Sequence, residues 1–223
     1  MNRLLITAMV VIFLVVGFST MVFAQDMSVR VRYLNGAVDQ VAAFGDWRLN
    51  DVVSVGPWVF GSVTQVELDA AVKVKLGKSG LWAMPAFGVI SDPVSGAAVY
   101  LVEDLIVGYN QPWVEVQSQN LFSDSVRFDT GSVFFERAWV LFGNADVTHV
   151  KIGAQVETFA PQDIDDKFLR ATNKVGPKVS FFFAPMRFDF WYGLVTNDPT
   201  PDVENDTKPT TMFWVWVNFP IQH

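Results

Sequence analysis

The chain has 223 residues, a formal net charge of −7, no cysteine and 51% hydrophobic residues. The acidic balance argues against a nucleic-acid partner, which would require a basic face. Without cysteine, and with His149 and His223 as the only histidines, disulfides, zinc and haem are not expected, and the sequence predicts no cofactor.

The first segment has the layout of a secretory signal. A short basic start, Met1 to Arg3, precedes an unbroken apolar run from Leu4 to Phe23, and Val22-Phe23-Ala24 suits a signal peptidase. We therefore predict a signal peptide over 1–24 and a single domain over 25–223. The alternative is an uncleaved anchor, because roughly 20 apolar residues would also span a bilayer.

The remaining chain contains no second apolar run of helix length, although it is rich in Phe and Trp. Its patterns predict an all-β domain, because apolar and polar residues alternate and turn residues separate the segments. Twelve strands are predicted, or ten if the first pair is not formed. In chain order they are 28–34, 37–47, 52–61, 65–76, 81–90, 97–109, 113–119, 133–142, 147–158, 174–184, 187–194 and 212–219.

The strand at 65–76 has the clearest alternation. Its even positions are all apolar, from Val66 to Leu76, and its odd positions include Glu67, Asp69 and Lys73. Such a strand has one apolar and one charged face. Tilted by about 45°, it rises roughly 28 Å, which matches the hydrocarbon thickness of a bilayer. The strand at 147–158 repeats the pattern.

The connections between strands also follow a pattern. Asn35-Gly36 is a hairpin signal, because both residues accept the positive φ of a tight turn. From residue 77 onward, short breaks at 77–80, 110–112, 143–146 and 184–185 alternate with longer polar connections at 91–96, 120–132, 159–173 and 196–210. Both chain ends would then lie on one side of the sheet, which requires an even number of strands.

The signal, the alternating strands, the turn asymmetry and the aromatic-rich last strand together resemble the bacterial outer-membrane β-barrel superfamily, the porins and their small relatives. The resemblance covers 25–223 and identifies no particular member. It implies a closed up-and-down antiparallel transmembrane β-barrel in a Gram-negative outer membrane, with the lipid bilayer as partner and short turns facing the periplasm. It further implies a protein that passes small polar solutes or serves as a structural surface barrel.

In such a barrel, charged residues of the strands should point into the lumen. A lysine or arginine facing lipid near the bilayer centre would cost about 2–4 kcal/mol. The lumen could be a water-filled pore or be filled by paired side chains, and both remain open. The candidate lumen-lining residues are Glu67, Asp69, Lys73, Lys75, Glu115, His149, Lys151, Gln155, Glu157, Arg187 and Asp189.

Two further readings concern ligands. Asp163, Asp165 and Asp166 lie in an acidic loop whose carboxylates could hold calcium, although solvated turn residues would have the same composition. A soluble exported lipocalin-like barrel that binds an apolar ligand would have the same alternation with its faces inverted. It predicts that the aliphatic rows converge on a dry centre.

The third functional alternative is an outer-membrane hydrolase. His149 is the one histidine on a predicted strand, and Ser118, Ser125 and Ser180 could act as a nucleophile beside it. Nothing in the sequence places any of these serines next to His149, so we expect no enzymatic activity.

Overall fold

The structure, a computed structural model, describes residues 26–62, 66–91, 99–125, 133–161, 171–197 and 209–220. These residues form one closed barrel of twelve antiparallel strands. Each strand pairs with the next in sequence, and β1 pairs with β12 to close the sheet. The predicted all-β, up-and-down barrel is therefore confirmed with twelve strands rather than ten. The predicted signal at 1–24 lies outside the described residues.

The strands are long for a globular protein and similar in length, at nine to thirteen residues each. They are β1 (Asp26–Leu34), β2 (Ala37–Arg48), β3 (Val53–Ser62), β4 (Val66–Lys75), β5 (Leu81–Ser91), β6 (Val99–Gln111), β7 (Val114–Ser125), β8 (Val133–Phe142), β9 (Val150–Pro161), β10 (Thr172–Phe183), β11 (Met186–Val195) and β12 (Thr210–Pro220). One turn of helix, α1 (Ala145–Thr148), precedes β9. In the ranges that the structure describes, no helix has the length and hydropathy needed to cross a membrane.

The two ends of the barrel differ in their connections. We call the end where β1 begins and β12 ends the near end, and the opposite end the far end. The two longest connections, 162–171 and 196–209, lie at the far end, together with the two-residue turn 35–36. At the near end, 112–113 and 184–185 are two-residue turns. The segment 143–149 is a longer near-end connection than predicted, because it contains α1.

Most strand boundaries differ from the prediction by one to three residues, and the end of β7 and the start of β9 differ for local reasons. Strand β7 continues to Ser125, beyond the predicted end at 119, because its polar last residues still pair with β6 down to the Tyr100–Ser125 pair. Strand β9 begins at Val150 rather than 147. The side chain of Asn144 accepts a hydrogen bond from the amide of Asp146 and caps α1 at this point.

The Asn35-Gly36 turn forms as the sequence predicts. Its two residues have φ values of 50° and 88°, the positive values that a two-residue hairpin of this kind requires. The Asn35 side chain also accepts a hydrogen bond of 2.9 Å from the amide of Thr211 in β12. The turn therefore joins β1 to β2 and contributes to the closure of the barrel.

The two faces of the sheet carry the predicted residues. In β4, Leu68 and Val72 are 48% and 40% exposed on the outside, whereas Asp69 and Ala71 are 6% and 5% exposed on the inside. In β9, Ile152 lies outside with 58% exposure. The predicted aliphatic outer face is thus confirmed. The lipocalin-like alternative required the opposite arrangement, which the structure contradicts.

The apolar core lies inside the lumen rather than between two layers. Its largest cluster joins residues of β2 to β6, namely Ala42, Trp58, Phe60, Ala71, Trp82, Ala86 and Ile106. The Trp82 ring packs against β6 at Gly108, where an added Cβ would come within 2.3 Å of the ring. Small residues therefore leave room for large aromatic rings in a narrow interior.

Candidate functional site in the barrel lumen

A layer of four side chains crosses the lumen at the middle of the strands. We call Arg137 and Trp139 of β8, Lys178 of β10 and Trp214 of β12 the central layer. The Lys178 ammonium lies 3.9 Å from the Trp139 ring centre and 4.5 Å from that of Trp214. The Arg137 guanidinium lies 5.3 Å from the Trp214 ring. Since β8 and β12 are separated by three strands, these contacts span the interior.

The central layer is held in place by hydrogen bonds from the wall. Lys178 Nζ donates to Gln155 Oε1 at 2.8 Å, and Gln155 Nε2 donates to Glu157 Oε1 at 2.9 Å. Glu157 also accepts a hydrogen bond and forms an ion pair with Arg137. Lys178 is only 1% exposed. A side chain directed into an open, water-filled pore would be far more exposed, so the interior is filled at this height.

A second set of contacts crosses the lumen between β7 and β11. Arg187 donates two parallel hydrogen bonds to Glu115, of 2.8 and 3.1 Å, and a third to Asp189 Oδ1 at 2.8 Å. Asp189 accepts from Trp216 Nε1 at 3.0 Å, and Glu115 accepts from Trp139 Nε1 at 2.9 Å. Bidentate, charge-assisted bonds of this kind fix both position and orientation. This set joins the central layer through Trp139.

Arg30 of β1 lies among aromatic rings on the opposite wall. Its guanidinium is 4.9 Å from the Trp216 ring and 5.5 Å from the rings of Phe44 and Phe60. Its Nη2 donates to Gln40 at 2.7 Å. The rings thus face a desolvated cation, an arrangement that is favourable because the ring face carries partial negative charge.

Acidic side chains lie on the far-end side of this region. Asp69 and Asp104 are 6% and 4% exposed, and Asp104 accepts a hydrogen bond of 2.7 Å from Gln119. Glu67 lies on the same face of β4, two residues closer to the far end than Asp69. The lumen therefore has cations at its centre and a cluster of carboxylates between them and the far end.

A cavity of about 1030 Å³ occupies the near-end half of the lumen. It extends from Ala184 and Pro185 in the near-end turn to Arg137, Lys178 and Trp214 of the central layer. The cavity is large enough for a small organic molecule, since ligand pockets typically measure about 300–1,000 Å³. The near-end half can thus accommodate a solute, and the central layer forms the inner end of the cavity.

The structure places ten of the eleven candidate lumen-lining residues on the inner face of the sheet. Asp69, Glu115, Lys151, Gln155 and Asp189 are buried there. Lys75 shares this face but is exposed at the near end of β4. The remaining members on this face are Glu67, Lys73, Glu157 and Arg187.

The eleventh candidate, His149, lies outside the lumen. It follows α1 with a φ of 57°, is exposed, and has its ring 5.9 Å from that of Phe183. The sequence pattern placed it on a strand because it did not predict α1. Ser180 is buried on the inner face of β10 beside Arg187, and Ser118 accepts a hydrogen bond from Asn120. Ser125 is the last residue of β7.

The proposed calcium ligands Asp163, Asp165 and Asp166 lie outside the described residues. Across the ranges that are described, no group of three or more His, Asp or Glu side chains is arranged to hold a metal ion.

Arg30 and the four members of the central layer were not among the residues predicted to line the lumen. Lys178 lies in a strand whose two faces are both partly apolar, so its alternation is weak. The sequence nevertheless contained a signal for this face. Lys174, Lys178 and Ser180 all stand at even positions of β10 and therefore lie on one face of that strand. In the same way, Arg137, Trp139 and Leu141 lie on one face of β8. Contacts between strands that are distant in sequence, such as Arg137 with Trp214, give no local pattern.

Comparison with solved structures identifies the class of protein that has this fold. The chain is similar to an outer-membrane channel of Pseudomonas putida F1, with a TM-score of 0.63, 10% identity, and coverage of 88% of this chain and 96% of that one. It is also similar to the NanC porin, with a TM-score of 0.55, 9% identity, and coverage of 87% and 100%. For the KdgM porin the values are 0.53, 10%, 88% and 99%.

The chain therefore has the twelve-stranded fold of outer-membrane channels, as the sequence pattern predicts. No protein-family model matches it, and a search of curated proteins gives no match. At identities of about 10%, the similarity establishes the fold and not the solute.

Proposed function

We propose that this protein is an outer-membrane channel for small solutes, exported by a cleavable signal at 1–24 and held in the bilayer by its aliphatic outer face. The observation that supports this function best is the contrast between the two faces of the wall. Leu68 and Val72 face outward, while Asp69 and Lys73 of the same strand face a lumen with a cavity of about 1030 Å³. A polar interior inside an apolar band is what a transmembrane barrel requires.

The central layer determines how this channel conducts. Because Lys178 and Trp214 are 1% and 2% exposed and their contact crosses the lumen, we expect a narrow path through the middle of the barrel and a low conductance. Candidate lumen residues that would contact a passing solute include Lys73, Arg187 and Asp189, which line the cavity.

Planar-bilayer recording tests the proposal. The folded wild-type protein should give small, steady conductance steps. Trp214→Ala removes one ring from the central layer and should increase the step size by about twofold or more. Trp113→Ala is the matched control, because Trp113 lies in the near-end turn between β6 and β7 and is 59% exposed. It should leave the step size unchanged.

A structural barrel is the second candidate function, favoured by the same filled central layer. It predicts that both wild type and Trp214→Ala are silent, although both are folded as judged by their shift in gel mobility on heating. That result would overturn the channel proposal. Steps of equal size in the wild type and Trp214→Ala would show that the central layer does not limit conduction.

A further inference from the structure

Four polar side chains lie on the outer face of the wall, on the neighbouring strands β6, β7 and β8. We call them the outer polar patch: Glu103, Ser118, Asn120 and Glu136. Glu103 directly precedes Asp104, which is buried in the lumen. Glu136 in the same way precedes Arg137 of the central layer. Because successive side chains of a strand point to opposite faces, both glutamates point outward, contrary to the expectation that charged strand residues face the lumen.

The outer polar patch lies near the middle of the wall, where a bilayer is most apolar. Asn120 is the seventh of twelve residues in β7, and Glu136 is the fourth of ten in β8. Glu103 is the fifth of thirteen in β6. Along a strand tilted by about 40°, each residue rises roughly 2.5 Å, so the three residues lie within roughly 5 Å of the middle of their strands.

The two carboxylates of the patch have no partner in the part of the chain that the structure describes. Glu103 is exposed and Glu136 is half-buried, and neither forms a hydrogen bond or an ion pair with a described residue. Their surroundings are apolar, since Phe87 and Phe122 flank Glu103 on the adjacent strands and Leu105 follows it on the same face. An unpaired carboxylate in contact with hydrocarbon is costly, so the patch requires a polar partner within the bilayer.

Small side chains make the patch accessible to a spanning segment. Ser118 lies opposite Ala138 in the register of β7 and β8, and Ala154 is exposed on the same face of β9. Asn120 donates a hydrogen bond of 3.1 Å to Ser118 and lies opposite Glu136. Contacts between spanning segments commonly combine small residues, which permit close approach, with polar residues that form hydrogen bonds across the contact.

The charge of the patch determines which kind of partner it fits. On the described strands, the lysines and arginines all stand on the inner face of the sheet. A second copy of this chain would therefore bring carboxylates against carboxylates without a cation between them, and like charges repel. The amine of a lipid lies in the headgroup layer, roughly 15 Å from the bilayer centre, which is too far from the patch. A basic side chain within the bilayer is complementary.

We propose that the outer polar patch docks a membrane-spanning segment of another protein that carries a lysine or arginine at the middle of the bilayer. The cation lies between Glu103 and Glu136, and Asn120 and Ser118 form hydrogen bonds with the same segment. This role goes beyond the proposed channel function. It depends on the location of the barrel in a bilayer and does not depend on conduction.

Energy transfer in lipid vesicles tests the proposal. The probe is a synthetic transmembrane helix of about 20 apolar residues with one central lysine, and helices with a central leucine or glutamine are the controls. The chain has no cysteine, so a donor dye attached at Lys78→Cys, in the near-end connection 76–80, labels the full-length barrel at one position. In uncharged phosphatidylcholine, the acceptor-labelled lysine helix should associate saturably, at about tenfold lower helix-to-lipid ratio than either control.

Variants locate the contact. Glu103→Gln and Glu136→Gln each keep the size of the side chain and remove its charge, and each should weaken association of the lysine helix by about fivefold. The double variant should reduce association to the level of the leucine helix. Asp51→Asn is the matched control, because it removes a charge of the same sign from the exposed near-end connection 49–52, and it should leave association unchanged. Gel mobility on heating checks that each variant is folded.

Several outcomes would overturn the docking patch. One is equal association of the lysine and glutamine helices, and another is equal association of the lysine helix with Asp51→Asn and with the double variant. Energy transfer between donor-labelled and acceptor-labelled barrels that the double variant abolishes would show that a second copy occupies the patch. If the wild type conducts in planar bilayers but does not bind the lysine helix, the channel stands and the patch fails. If it binds the helix and is silent, the patch stands and the channel proposal fails.

Discussion

Arg137 and Glu157 show how charges are accommodated inside this barrel. Their side chains are 5% and 12% exposed, and they form an ion pair between neighbouring strands β8 and β9. Arg137 additionally contacts the Phe135 and Trp214 rings. Because a desolvated guanidinium is costly without a counter-charge, the pair stabilises the folded state mainly by avoiding an unpaired cation.

We therefore expect Glu157→Gln to lower the free energy of unfolding by about 3 kcal/mol, since it leaves Arg137 unpaired in the lumen. Urea unfolding of the protein in lipid vesicles, followed by tryptophan fluorescence, measures the change. Glu103→Gln is the matched control, because Glu103 is exposed on the outer face of β6, and it should cause little or no loss. Equal losses in the two variants would contradict the role given to the Arg137 pair.

Much of the inner face could be predicted from single residues. Where charged and aliphatic residues alternate, as in β4, an odd or even position along the strand is enough to place Asp69 inside and Leu68 outside. The alternation wrongly placed His149 on the inner face of a strand, because the one-turn helix α1, capped by Asn144, contains residues that the pattern assigned to β9. It did not reveal the contact of Lys178 with Trp139 and Trp214, because that contact depends on closure of the barrel.

At the scale of strands and turns, the two ends of the barrel have different connections. The two longest, 162–171 and 196–209, are at the far end, which also has the two-residue turn Asn35-Gly36. The near end has the two-residue turns 112–113 and 184–185 and no connection longer than 143–149. In outer-membrane barrels, short turns face the periplasm and longer loops face outward. The turn chemistry of Asn35-Gly36 and the connection lengths were readable from sequence, whereas the extent of β7 was not, since pairing with β6 overrides its polar composition.

This asymmetry predicts an orientation. A short epitope inserted within 198–208 should be stained by antibody on intact Gram-negative host cells. The same epitope inserted at Lys78, in the near-end connection 76–80, should be stained only after the outer membrane is permeabilised. Surface staining of the Lys78 insertion alone would mean that the near end faces outward, contrary to the orientation proposed here.

For the molecule as a whole, the decisive feature is which side chains lie on each side of the closed sheet. Aliphatic rows, with aromatic residues such as Phe87 and Phe190, form the outside of a closed sheet, and charged side chains such as Asp69 and Lys178, with the rings of Trp82 and Trp214, fill its inside. Closure removes the sheet edges, so the backbone groups of the wall are paired, as a lipid environment requires. The sequence could predict this arrangement because apolar and polar residues alternate in strand after strand along the chain. The contents of the lumen were less predictable because they arise from residues on opposite walls.

The most direct test uses the absence of cysteine, which allows single spin labels to be introduced. Ala70 and Ala71 are neighbours of the same residue type, but Ala70 is exposed on the outer face and Ala71 is 5% exposed and lines the cavity. In lipid vesicles, a label at Ala70→Cys should collide readily with oxygen dissolved in the bilayer, and a label at Ala71→Cys should not. Greater oxygen accessibility at Ala71→Cys, or at neither position, would contradict the account.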